Sequence, residues 1–340
     1  MIGSAGKRPC ASSALGLLRH TYQNWACEHQ RLNIVTRLVY PPAMTKSKHQ
    51  FSGFPTLEEA KTYFNGQMAI LASMHGKEQA IGPVLEDSLG LKVVPSGRLD
   101  TDVFGTFAGE VERPAPQAET AAMKAEACLE HHPESNFILA SEGAFYGHPE
   151  SPFLTVNTEI VLLLDRQTGL RVAGYHHSYD TMASARHISS IDELREFAKA
   201  VGFPKFGLIL KINQDGKFIV RKDFSNMESV ESAYHALSSP DGKVMIETDL
   251  RAHRNPTRME NIKEATKDLV RRLLSLCPHC GYPDFVVKDF EKGLPCESCK
   301  MPTRMPLKDI LHCRHCDHRA EILFPKGETA YAGHCDWCNP

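Results

Sequence analysis

No apolar run in this chain approaches the ~18 residues needed to cross a bilayer. The strongest, such as Ile160 to Leu164, are strand-sized, so no membrane partner is expected. Acids are nearly missing from residues 1–50, where seven basic side chains face Glu28 alone. That segment carries +6, and because the whole chain carries −2, the remaining residues carry −8. A body that acidic lacks the Lys/Arg excess on which binding to phosphate backbones rests, so nucleic acid is disfavoured as a partner. A Walker loop, a G-x-S-x-G elbow, an H-E-x-x-H helix and a G-x-G-x-x-G turn are all absent.

What is present begins after the first 50 residues, which have no sustained period and are rich in Arg, Ser and Ala. They are expected to lie outside the fold as a disordered or transit-like extension. Two readings stay open: an organelle transit peptide, or an over-extended start with Met44 as the real first residue. The expected location is cytoplasmic, or an organelle matrix if the segment is a transit peptide.

Residues 51–275 read as an α/β domain with a mixed sheet and flanking helices. A helix over Pro55–Phe64 leads to an apolar strand, Met68–Ser73, then a helix through Leu89 and a strand, Leu91–Pro95. Gln117–His131 is spaced for one buried helical face, and Phe137–Ala140 is a short buried strand. Glu159–Leu164 and Leu170–Tyr175 flank a turn, as do Gly207–Ile212 and Lys217–Arg221 around Asp215-Gly216. A helix over Ile191–Val201, a strand over Val244–Thr248 and a long helix opened by Asn255-Pro256 complete the domain.

Eight of the eleven cysteines form four CxxC pairs: Cys277/Cys280, Cys296/Cys299, Cys313/Cys316 and Cys335/Cys338. Each CxxC turn offers two thiolates from one knuckle, so residues 276–340 read as a double zinc ribbon holding two structural Zn²⁺ ions. Pairing neighbouring knuckles gives two successive ribbons; an interleaved, cross-braced pairing is the alternative. The module has eight basic and nine acidic residues, and eight thiolates with two Zn²⁺ would bring it near −5. Stabilisation or protein contact suits such a module better than reading phosphates.

Polar residues collect where strands run into helices. Ser73, His75, Gly76 and Lys77 form a small-residue loop that ends in a cation, a disposition suited to an anion. Glu119 opens a helix, where its charge favours the dipole. Glu142, at the end of a strand beside Gly143, is placed to hold a divalent cation. Arg251, His253 and Arg254 join a strand end to a helix start and could grip a phosphate or a base.

Met-His-Gly-Lys-Glu (74–78), Asp-Val-Phe-Gly-Thr-Phe (102–107), Ser-Glu-Gly-Ala-Phe (141–145), residues 249–259 and the terminal His-Cys-Asp-Trp-Cys-Asn-Pro (334–340) resemble a mainly bacterial family catalogued only as a domain of unknown function. That likeness covers roughly residues 66–340. A remoter likeness is to the inosine/xanthosine triphosphate pyrophosphatases, Mg²⁺-dependent α/β enzymes. Their Thr-Gly-Asn-x-x-Lys loop is similar to Ser73 to Lys77, and their Glu-Asn-Ala-x-x-Lys-Ala helix to Glu119 to Ala125, with Glu119 and Lys124 matching. Their acidic strand end is similar to Ser141-Glu142-Gly143, and their Ser-His-Arg motif to Ala252-His253-Arg254. Here the loop is a residue shorter, His75 replaces Asn, and Glu142 stands alone for paired aspartates.

The resemblance implies Mg²⁺-dependent hydrolysis of a nucleoside triphosphate or related phosphate ester. Glu119 and Glu142 would hold the ion, Lys77, His253 and Arg254 would clamp phosphates, and Lys124 would support them. The alternative is a non-enzymatic zinc-ribbon protein that binds a protein or RNA partner.

Overall fold

Met68–Ala72 forms strand β1, apolar throughout because it is buried on both faces beyond Met68. Residues 51–104, 114–148, 151–214, 216–238 and 243–340 are described by the computed structural model. The expectations for residues 1–50 and for the turn at Asp215, and the second half of the 102–107 motif, lie outside the described residues.

Helix α1 (Leu57–Phe64) starts with a reciprocal capping box between Thr56 and Glu59. After β1, α2 (Glu78–Leu89) ends at Gly90 in the left-handed conformation and returns the chain to β2 (Lys92–Pro95). Helix α3 (Gln117–His131) precedes β3 (Phe137–His148), β4 (Ser151–Asp165) and β5 (Arg171–Ser178). The five strands lie in the order β2-β1-β3-β4-β5, parallel at β2-β1-β3 and antiparallel from β3 to β5. The mixed α/β sheet read from the sequence is thus present.

Strands β3 and β4 run well past their expected limits, Phe137–Ala140 and Glu159–Leu164. The apolar pattern fails at Ser141-Glu142 and at Asn157-Thr158-Glu159, yet all five of these residues are buried. Most of their polar groups find partners inside the protein, the Glu159 Oε2 oxygen being an exception, so the strands continue where hydrophobicity alone would have stopped them.

A second sheet, unanticipated as a separate unit, is inserted between β5 and the last long helix. It comprises β6 (Ala185–Ile188), β7 (Leu208–Gln214), β8 (Lys217–Arg221) and β9 (Val244–Thr248), in the antiparallel order β6-β9-β7-β8. Helices α4 (Ile191–Val201) and α5 (Met227–Leu237) share its own core, centred on Leu194, Phe197, Leu208, Leu210, Val230 and Ile246. Helix α6 (Pro256–Leu274), capped by the Asn255 side chain with Pro256 at its first position, then returns to the first sheet.

Helices α1, α2 and α6 cover one face of the first sheet, with Leu71, Leu139 and Leu163 beneath them. Helix α3 covers the other, above Ile138, Ala140 and Leu162. Gly174 on β5 lets α6 lie directly on the strand: a Cβ there would sit 2.2 Å from the Ala265 carbonyl and the Leu269 nitrogen. Strands β10 (Val286–Lys292), β11 (Pro306–His312) and β12 (Arg319–Leu323) form a small antiparallel sheet in the cysteine module. Among the described residues, no helix is long and apolar enough to cross a membrane.

Candidate active site and metal centres

The pairing of β1 with β3 ends at Ala72 and Ala140, so Ser141 onward projects past the carboxyl end of β1 with only β4 beside it. In open α/β sheets this kind of strand end is where ligands bind. Because successive side chains alternate between faces, Glu142 points toward α3, whereas Ser141 and Gly143 point toward α2 and α6.

On the α3 side, Lys124 Nζ lies 2.6 Å from Glu142 Oε2, with both side chains at least nine-tenths buried. The Gln117 amide donates to the carbonyls of Glu142 (2.8 Å) and Thr158 (2.7 Å), pinning the helix start to the middle of the β3–β4 ladder, just beyond the end of β1. Glu119 lies on the same opening turn, half-buried, and makes no side-chain hydrogen bond among the described residues. Five residues of helix separate it from Lys124, so it projects about 140° around the axis from that lysine. Glu119 and Glu142 do not belong to any group of three or more ligating side chains among the described residues.

On the opposite side, Lys77 leads into α2 and is buried, its Nζ donating to the Ser141 carbonyl at 3.2 Å and to its hydroxyl at 3.4 Å. Desolvation, together with the nearby Arg258 charge, pulls the lysine down to about 7. Gly76, with φ +64, makes the turn before it. Ser73 is buried just beyond β1, and the His75 ring stacks on His253 at 5.1 Å with 20° between planes. The loop after β1 and the loop before α6 are therefore neighbours, as the candidate set requires. Partial desolvation and then Arg251 hold His253 below its ordinary value.

Arg251 and Arg254 are already engaged. Arg251 forks onto Asp249 and Asp223, with closest approaches of 2.6 and 2.7 Å, and the carboxylates raise its affinity for the proton. Arg254 donates to the Phe224 carbonyl, and its backbone carbonyl accepts from Gly207 at 2.8 Å. Both hold the second sheet against the start of α6.

Two residues that sequence reasoning passed over sit at the centre. Arg258 Nε is 2.7 Å from Glu159 Oε1, and Arg258 Nη1 donates to the Leu250 carbonyl at 2.7 Å. Asn157 bonds Glu159 and Asn261 at 3.0 and 2.8 Å. Gly143 makes room, since a Cβ there would stand 2.2 Å from Arg258 Nη2 and 2.5 Å from Glu159 Oε1. Signals existed: Arg258 lies on the stripe Ile262, Ala265 and Leu269, and Glu159 adjoins an unbroken apolar strand.

Lys77, Lys124 and Arg258 thus gather around Glu142 and Glu159, three cationic groups against two carboxylates. Burial first, and then the Arg258 charge, depress Lys77 despite the two carboxylates, and an incoming anion would relieve it. A groove of about 520 Å³ between α2 and α6 is lined by Gly76 and His253, but not by Lys77 or Glu142.

The cysteines form two tetrads, but not between neighbouring knuckles. Cys277, Cys280, Cys313 and Cys316 make one group and Cys296, Cys299, Cys335 and Cys338 the other, so the successive-ribbon pairing gives way to the interleaved one. The reason is the sheet. Antiparallel β10 and β11 pair Val286 with His312, bringing the knuckle before β10 to the one after β11. Strand β12 then returns the chain to the end where the second knuckle joins β10 to β11.

Facing sulfurs lie 3.7 and 3.6 Å apart in the first tetrad and 3.9 and 3.6 Å in the second. A tetrahedron with metal–sulfur bonds near 2.3 Å has edges of about 3.8 Å. These spacings fit a tetrathiolate zinc site and are far too long for disulfides. The backbone N–H of Cys299 points at the Cys296 sulfur and lowers its pKa, favouring the thiolate there.

A family profile described as a domain of unknown function, DUF6671, matches residues 124–340. The chain belongs to the DUF6671 family. The DUF6671 match takes in Lys124, Glu142, Glu159, Arg258 and all eight clustered cysteines, while Ser73 to Lys77 and Glu119 precede it. It begins later than the stretch from residue 66 that the sequence motifs suggested. No curated protein matches this DUF6671 chain.

Proposed function

We propose that this DUF6671 protein is a Mg²⁺-dependent hydrolase of nucleoside triphosphates or related phosphate esters, with two structural Zn²⁺ ions in its cysteine tetrads. The observation that carries the reading is the buried cluster of cationic groups just beyond the carboxyl end of β1, where Lys77 bonds Ser141 and Lys124 bonds Glu142. A multiply charged anion compensates its net charge. The β1–α2 and pre-α6 loops, joined by the His75–His253 stack, border the same place.

Carboxylate oxygens are the donors Mg²⁺ takes, so Glu142 would hold the ion, which supplies charge compensation for the phosphates, whereas Glu119, turned away from Lys124 on α3, is not placed to share it. Lys77 orients and neutralises phosphate from its fixed position on Ser141, and His253 contributes from the facing loop. Arg254 and Arg251 serve mainly by holding that loop to the second sheet. Lys124 holds the Glu142 carboxylate in place.

Equilibrium binding of a non-hydrolysable triphosphate tests the site before any chemistry. Wild type should bind more tightly with Mg²⁺ than without, and Lys77→Ala should weaken binding by roughly 10–100-fold, the loss of one charge-assisted hydrogen bond. Binding indifferent to both changes would contradict the reading. The alternative, a zinc-ribbon protein that binds another protein, draws on Tyr331 and Trp337, which are 70% and 76% exposed beside the second tetrad.

A further inference from the structure

The two tetrads differ in what surrounds them. Gly281, inside the first, approaches the chain before α1 so closely that a Cβ on it would lie 2.1 Å from the Phe54 carbonyl. A Cβ on Gly53 would lie 2.2 Å from the Cys280 carbonyl, and Phe54 donates to Gly281 at 2.9 Å. The Tyr282 ring packs against Phe51 at 5.5 Å and stacks on His315, between Cys313 and Cys316, at 4.9 Å. Tyr282 also adjoins the core under α1, α2 and α6. At the end of α6, Asp284 and Phe285 donate to the carbonyls of Arg272 and Ser275, and the Arg272 side chain reaches Asp284 at 3.0 Å.

The second tetrad is held by its own module. Cys296 donates to Met301, Glu297 donates to Ala330, the Ala332 amide bonds Glu297, and Arg304 pairs with Asp336 at 2.7 Å. Cys338 is exposed.

We infer that the tetrads are inequivalent metal sites: the first is an internal clasp of the α/β body, and the second is a separately exchangeable site for a thiophilic dication such as Zn²⁺ or Cd²⁺. The inference rests on the zinc reading above. A metal in the first tetrad fixes four points at once, and through Tyr282 and Gly281 these hold the Phe51–Thr56 segment and the end of α6. Losing it removes a cross-link from the core. Losing the second frees only loops of the module.

The test uses the full chain loaded with Zn²⁺ and a competing chromogenic chelator, with metal release and amide hydrogen exchange followed together. One metal per chain should leave first, with protection in α6 and residues 51–56 unchanged, and the second should leave only as that protection collapses. Cys338→Ser should retain one metal and the wild-type protection of α6. Cys280→Ser should lose that protection, and if it cannot be isolated folded, the wild-type release order still decides. Two metals leaving in one step, or a Cys338→Ser variant whose α6 loses protection, would overturn the inference while leaving the zinc reading intact. Protein purified without chelator and found to hold no metal would overturn both.

Discussion

The guanidinium of Arg258 and the carboxylate of Glu159, 99 residues apart in sequence, meet at 2.7 Å with neither side chain more than 1% exposed. An ion pair this deep specifies geometry more than it adds stability, because desolvation offsets most of the attraction. Here it joins the first turn of α6 to β4 across Gly143, the residue that follows Glu142 in the middle of β3.

Breaking the pair from one side should be costly. Arg258→Met leaves the Glu159 charge buried, and Glu159→Gln leaves the arginine; each should cost about 3–5 kcal/mol in urea unfolding. Gly143→Ala should also destabilise, by about 1–3 kcal/mol or more, since the added methyl meets both groups. Losses under about 1 kcal/mol would show that the pair is not the keystone described.

Lys77 supplies a pH signature. Its folded value near 7 lies below the ordinary lysine value of 10.5. Between those values the unfolded chain binds the extra proton and the native one does not, so this residue makes stability rise with pH across that window. Below pH 7 both states are protonated, and the full cost of the buried charge is present. Lys77→Met should therefore flatten the rise and gain most, relative to wild type, at pH 6. Parallel stability profiles for the two proteins would contradict this.

Much of this architecture was legible in the sequence, and what escaped did so for identifiable reasons. Regular periodicity marked α3, α4 and α6, and the CxxC pairs marked both metal centres. Strand-end placement and resemblance together singled out Lys77 and Glu142, and the resemblance alone added Lys124. Glu159 and Arg258 escaped because a charged residue in an apolar pattern reads as an interruption until its partner is known. Knuckle pairing escaped because it depends on which ends of β10, β11 and β12 meet, which spacing alone does not encode. Three strands of the second sheet and α4 were read as elements but not as a unit, since nothing local distinguishes strands of one sheet from those of another, while the short edge strand β6 and helix α5 were not read at all.

Metal content is a direct expectation. Protein purified without chelator should contain two zinc ions per chain by elemental analysis, and its eight clustered cysteines should resist alkylation until the metal is removed. Mapped disulfides and a metal content near zero would refute the tetrathiolate sites.

Turnover decides the central claim. Purine and pyrimidine triphosphates, including those with deaminated bases, should be incubated with the protein with and without Mg²⁺, and pyrophosphate and inorganic phosphate measured separately. The account predicts Mg²⁺-dependent release of pyrophosphate from at least one nucleotide. Glu142→Gln should reduce it by about 100-fold or more, the scale on which one group that stabilises transition-state charge is felt. Its fold should be retained. Phosphate release instead would keep the site and change the bond attacked. No Mg²⁺-dependent turnover on any nucleotide, or a Glu142→Gln variant as active as wild type, would contradict the account.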